Sequence, residues 1–131
     1  MFESPWWLPG PHLQTLWQPL FRRSALIAVR RERIETNDGD FLDLDWYGED
    51  HRPLVILLHG LTGSTRSPYI VGMQAALGLK GFRSVAMNFR GCSGSPNRTW
   101  KAYHSGDTGD LRHLIEWLKS KEPHTKLRAV G

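Results

Sequence analysis

The sequence has a single cysteine, Cys92, in 131 residues, so an internal disulfide is impossible, and CxxC or zinc-type spacing is absent. No apolar stretch approaches the roughly 18 residues of a membrane-spanning helix, and the N-terminus lacks the charged, apolar and small-residue sections of a signal peptide. Low-complexity tracts are missing as well. Charge is not gathered on one side: the formal net charge is +4, but the basic residues are dispersed instead of forming a stripe, which argues against nucleic acid as a partner. The densest basic runs, Arg22-Arg23 and Arg30-Arg31-x-Arg33, soon meet acidic residues and a strand-like pattern, and read as solvated strand faces. These absences set the expectation of a cytoplasmic, soluble protein without a transmembrane segment.

What is present is enough to build a core. Hydrophobic residues make up 40% of the chain and include six Trp, so an ordered protein is expected. The length suits one domain or part of one, because a complete doubly wound α/β enzyme commonly needs roughly 200 residues or more.

The chain divides near residue 24. Residues 1–24, with Pro5-Trp6-Trp7-Leu8-Pro9-Gly10-Pro11, read as an irregular aromatic and proline-rich segment laid over a hydrophobic surface, either a substrate wall or a core cover. From residue 25 to 131 the pattern is regular. A hairpin is expected from strands near residues 25–35 and 41–47, joined through Asn37-Asp38-Gly39-Asp40, where Asp-Gly supplies the positive-φ turn. In the second strand Leu42, Leu44 and Trp46 alternate with Asp43 and Asp45, so one face is buried while the other meets water or a neighbouring loop. Those aspartates lack the spacing of a calcium-binding EF-hand loop.

Three further strands are expected at residues 54–58, 82–89 and 127–131. Between the first two, Ser67-Pro68 reads as the cap and first residue of a helix with Ile70, Met73 and Leu77 on one face, closed by Gly81. Between the last two, a helix over about 107–121 carries the stripe Leu111, Leu114, Ile115, Leu118. Asp107 and Asp110 favour its N-terminus, and Lys119 and Lys121 its C-terminus. This order predicts an α/β fold: a mostly parallel sheet with an antiparallel N-terminal hairpin and helices on both faces.

In such a sheet, ligands bind beyond the carboxyl ends of the strands, which gathers residues 59–64, 90–97 and whatever follows Gly131. The run Leu54-Val55-Ile56-Leu57-Leu58 leads into His59-Gly60-Leu61-Thr62-Gly63, and backbone amides at such a point can receive negative charge developing on a carbonyl oxygen. The Leu61 N–H is the candidate donor. The plainer alternative is that His59-Gly60 merely turns the chain.

The ordered set His-Leu-Gln-Thr at 12–15, His-Gly-Leu-Thr-Gly at 59–63, Ser-Pro-Tyr at 67–69, Asn-Phe-Arg-Gly-Cys-Ser-Gly at 88–94 and Tyr-His-Ser-Gly-Asp-Thr at 103–108 resembles the YheT-like esterases of the AB hydrolase 4 family, over nearly the whole chain. The resemblance implies the N-terminal half of an α/β-hydrolase fold and cleavage of a small-molecule or lipid-like carboxylic ester by a Ser-Asp-His triad without a cofactor. It places an oxyanion-hole role on His59, Gly60 and Leu61, through the Leu61 N–H. It also implies that the closing Ala129-Val130-Gly131 would continue into the nucleophile elbow, with acid and histidine later still.

No nucleophile, acid or base of that triad is therefore assigned in this chain, which is expected to be inactive alone. Three other candidates within it have plainer readings. Ser93, in Gly91-Cys92-Ser93-Gly94-Ser95, fails the Gly-x-Ser-x-Gly pattern by one residue and follows the wrong strand. His104, Asp107, Asp110 and His113 have spacings that could suit a metal, but capping and dipole complementation explain the aspartates without one, and no metal is expected. Cys92 has no evident paired base and reads as a small packed thiol. The last strand would leave an apolar parallel edge open to self-association, which makes a partner-dependent, non-enzymatic module the rival reading.

Overall fold

The computed structural model describes residues 27–101 and 108–131. The segment 1–24, the motif at 12–15 and the candidate ligands His104 and Asp107 lie outside the described residues. Five strands and two helices follow in order: β1 (Arg30–Glu35), β2 (Phe41–Tyr47), β3 (Leu54–Leu58), α1 (Pro68–Leu79), β4 (Arg83–Met87), α2 (Gly109–Lys121) and β5 (Arg128–Val130). The strands form one sheet in the order β1-β2-β4-β3-β5. β1 and β2 pair antiparallel, as do β2 and β4, whereas β3 pairs parallel with both β4 and β5.

The strand sequences explain which face each helix covers. β3 reads as an unbroken apolar run because both its faces are covered. Leu54 and Ile56 point into a core with Leu42, Leu44, Trp46, Val85 and Met87, which is closed by Leu114 and Leu118 of α2. Val55 and Leu57 point the other way, against Ala86 and Ile70 of α1. The helices thus lie on opposite faces, as the alternation of strands and helices predicts.

α1 begins with Pro68 at its first turn, but Ser67 does not cap it: the Ser67 Oγ accepts the Ser64 N–H at 3.0 Å instead. Its inward face also differs from expectation. Ile70 and Gln74 are buried and Leu77 packs against them, while Met73 is exposed. Gln74 takes the inward place because its Nε2 donates to the Asp45 carbonyl at 3.0 Å, which satisfies a polar group inside the interface.

The hairpin departs further from the expected solvated strand faces. Its register sets Arg31 opposite Asp45 and Arg33 opposite Asp43. Each arginine grips its aspartate with two nitrogens, at 2.7 and 2.8 Å for Arg31 and at 2.7 and 2.9 Å for Arg33. The aspartates are buried, so this face of β2 is an ion-paired layer. Burial alone would raise both carboxyl pKa values. Hydrogen bonds from Arg33 and Ser93 to Asp43, and from Arg31 and Thr65 to Asp45, outweigh it and hold both below the ordinary carboxylate value.

Candidate functional site

β3, β4 and β5 run parallel, so their carboxyl ends share one rim. The chain leaves β3 toward α1 on one face and leaves β4 toward α2 on the other, which opens a crevice between the two departing loops. The end of β5 lies on the other side of β3: Leu57 is in register with Val130, and a Cβ built on Gly131 would stand 3.3 Å from the Leu58 Cβ. The turn after β3 therefore sits between the ends of β4 and β5.

His59 holds that turn in place. It is 3% exposed, and its ring lies edge-on to Phe89 with centroids 5.0 Å apart. Its Nε2 accepts the Phe89 N–H at 3.1 Å, which leaves Nδ1 to carry the proton donated to the Gly60 carbonyl at 2.9 Å. The imidazole is thus spent on bridging two loops and is not a free base.

Residues 60–63 form a tight turn closed by Gly63 N–H donating to the Gly60 carbonyl at 3.0 Å. Thr62 has φ +62, while Leu61 is not in the positive-φ region, which is the pattern of a type II turn. Positive φ in a β-branched residue is strained, and the surrounding bonds must hold it there. A Cβ on Gly63 would come within 3.0 Å of the Gly60 carbonyl oxygen, 3.2 Å of the Tyr69 hydroxyl and 3.3 Å of the Ser67 Oγ, so only glycine fits without movement. The Gly60 N–H is taken by the Tyr69 hydroxyl oxygen at 2.6 Å. Among the described residues the Leu61 N–H has no acceptor, and Leu61 itself is 65% exposed at the rim. The structure thus presents a fixed turn whose Leu61 and Thr62 amides both lack an acceptor among the described residues.

Beneath the turn lies a buried polar network. The Thr65 hydroxyl donates to Asp45 at 2.5 Å and accepts from Asn88 Nδ2 at 3.0 Å, and the Thr65 N–H donates to Asn88 Oδ1 at 3.1 Å. It ties the loop after β3 to β2 and to the end of β4.

A second polar cluster fixes the loop after β4. The buried Arg90 guanidinium reaches Asp110 at 2.8 Å, Asp38 at 2.6 Å and Asp40 at 3.3 Å. Asp40 also accepts from Asn97, the Arg98 N–H and Thr99. The Asp38 carboxyl is drawn down to about 2, by its hydrogen bond from Arg90 first and by Thr36 next. Sequence reasoning missed both networks. They join residues distant in the chain; only the Arg31–Asp45 and Arg33–Asp43 pairs had a signal, because a turn at 37–40 fixes the register that sets them face to face.

The remaining candidates have structural partners. Ser93 is 9% exposed, its hydroxyl oxygen accepts the Ser95 N–H at 3.4 Å, and its carbonyl accepts from Arg31 at 3.1 Å. Cys92 packs against the core, and burial pushes its thiol pKa up. Asp110 is occupied by Arg90 rather than acting as an exposed dipole partner, and His113 Nε2 lies 2.8 Å from the Glu35 carbonyl, so these two face different partners. A groove of about 480 Å³ lined by Asp50, Arg52, Arg83, His124 and Lys126 opens at the other end of the strands and carries none of the turn residues.

A family model described as alpha/beta hydrolase fold matches residues 53–131. Over 124 residues the chain is 43% identical to a protein of Escherichia coli (strain K12) named as an esterase, YheT, covering 92% of this chain and 36% of that one. Over 127 residues it is 35% identical to phospholipase ABHD3 of Bos taurus, covering 90% of this chain and 31% of that one. The chain thus spans about a third of the length of these curated relatives. Among solved structures, the Pyrococcus furiosus esterase Pf2001 is similar at a TM-score of 0.64 and 26% identity, covering 79% of this chain and 41% of that one.

Proposed function

Because this chain belongs to the alpha/beta hydrolase fold family, we propose that it forms the part of a carboxylic ester hydrolase that supplies one arm of the oxyanion hole. The observation that carries this reading is the unsatisfied Leu61 N–H, held on a strained turn between the ends of β4 and β5. When a nucleophile adds to an ester carbonyl, the π electrons move onto oxygen, and a preorganised amide offers that oxygen a hydrogen bond it did not have in the ground state. Gly60 lets the backbone come close to the carbonyl, and His59 fixes the direction of the turn.

The names of the relatives, esterase and phospholipase, support a lipid-like ester as substrate. No triad member is assigned within these 131 residues, which span about a third of the length of the curated relatives; in this reading the complete protein is the enzyme, and the cytoplasm is the compartment we assign to it. The 131-residue polypeptide alone should not react with a fluorophosphonate probe and should give no esterase turnover above a heat-killed control. The complete protein should do both. Turnover by the short chain that disappears on Ser93→Ala would overturn this division.

A second reading, a partner-dependent module, draws on β5, whose three residues are all exposed at the edge of the sheet. Size-exclusion chromatography of the 131-residue chain separates the two. Self-association is expected if the edge seeks a partner, whereas a monomer with a sharp melting transition argues against the module.

A further inference from the structure

We propose that Tyr69 is a second hydrogen-bond donor to the same developing oxyanion, acting through its phenol O–H beside the Leu61 N–H. The inference rests on the ester-hydrolase reading and goes beyond it, since the donor that reading names, the Leu61 N–H, is a backbone amide. Tyr69 stands in the first turn of α1, and half its surface is exposed. Its oxygen accepts the Gly60 N–H at 2.6 Å, one residue before the donor amide.

That bond has two consequences. It uses the phenol as an acceptor, so the hydroxyl proton must point elsewhere, and among the described residues no acceptor takes it. It also polarises the O–H, because a hydroxyl that accepts a hydrogen bond becomes a better donor. Successive backbone nitrogens are within about 3.7 Å of each other. The phenol oxygen, 2.6 Å from the Gly60 nitrogen, thus stands one residue from the Leu61 amide, and one substrate oxygen accepting from both is the arrangement we propose. Gly63 leaves room for the hydroxyl at the turn, since a Cβ built there would stand 3.2 Å from the Tyr69 oxygen.

In this arrangement the aromatic ring is a rigid post with few rotatable bonds, and the hydroxyl is aimed by the backbone it supports. The Tyr69 phenol stays protonated throughout, and no covalent bond to it forms or breaks. Its contribution is larger in the transition state than in the ground state, because the charge on the substrate oxygen grows as the nucleophile adds.

The test is steady-state kinetics of the complete protein on a p-nitrophenyl ester, with and without Tyr69→Phe. Loss of a preorganised donor at a half-open site should lower kcat about 10- to 100-fold while KM stays within about threefold. A structural role alone would not move the pH profile. Replacing Tyr69 with a fluorinated tyrosine of lower phenol pKa should therefore shift the alkaline loss of kcat to lower pH, because the ionised phenolate cannot donate. Should Tyr69→Phe fail to fold, the fluorinated protein decides alone. Unchanged kcat in Tyr69→Phe, or an unmoved alkaline limb in the fluorinated protein, would remove Tyr69 from the site while leaving the hydrolase reading intact. A wild-type protein with neither turnover nor fluorophosphonate labelling would overturn both.

Discussion

At the scale of single residues, the turn after β3 depends on atoms that leave little room for change. Gly63→Ala forces its new methyl against the Gly60 carbonyl, the Tyr69 hydroxyl and the Ser67 Oγ together. The expected cost is about 1–3 kcal/mol in thermal or urea unfolding, and a fall in esterase activity of the complete protein beyond what the stability loss explains. A variant as stable and active as the parent would show that the turn is free to move. The sequence carried part of this. The His-Gly step after an apolar run marks the turn and its amide, but a threonine at positive φ cannot be foreseen, since threonine disfavours that conformation and only the surrounding bonds impose it. The role of His59 as a bridge was likewise hidden, because its partner Phe89 stands 30 positions away in the chain.

At the scale of elements, buried charge does more than capping to join the pieces. Arg90 connects the hairpin turn, the loop after β4 and the first turn of α2 through Asp38, Asp40 and Asp110. Arg90→Gln leaves Asp40 and Asp110 buried without a countercharge, and the expected loss is about 3–5 kcal/mol in urea unfolding. A loss below about 1 kcal/mol would mean that the cluster is held by the neutral donors around Asp40 instead. Strand and helix positions were legible because sequence periodicity marks the core face: Leu42, Leu44 and Trp46 share it on β2, although Asp43 and Asp45 are buried too, and Leu114 and Leu118 face inward on α2. The inward face of α1 was not, since Gln74 replaces Met73 for the sake of a backbone carbonyl on β2 that periodicity does not reveal.

At the scale of the whole molecule, Asp38, Asp40, Asp43 and Asp45 all have carboxyls held below their ordinary value of 3.8. A carboxyl depressed in the folded state contributes stability above its unfolded pKa and loses it as pH falls through the folded one. The urea midpoint should therefore drop steeply from about pH 4 to about pH 2, the window set by the ordinary value and by Asp38, and a midpoint unchanged across that window would contradict the ion-paired layers. The parallel core of the sheet and the shared rim of β3, β4 and β5 followed from the alternation of strands and helices, whereas the strand order was not read from it. The two polar networks that brace the rim did not, because they join residues distant in the chain. The most direct test of the account uses the unsatisfied Leu61 amide. Proline suits the second position of a type II turn, so Leu61→Pro deletes the N–H while preserving the backbone path and breaking no hydrogen bond among the described residues. In the complete protein, kcat for ester hydrolysis should fall about 10²- to 10³-fold with KM nearly unchanged and the circular dichroism spectrum intact; a folded Leu61→Pro variant that retains its kcat would contradict the claim that this amide receives the oxyanion.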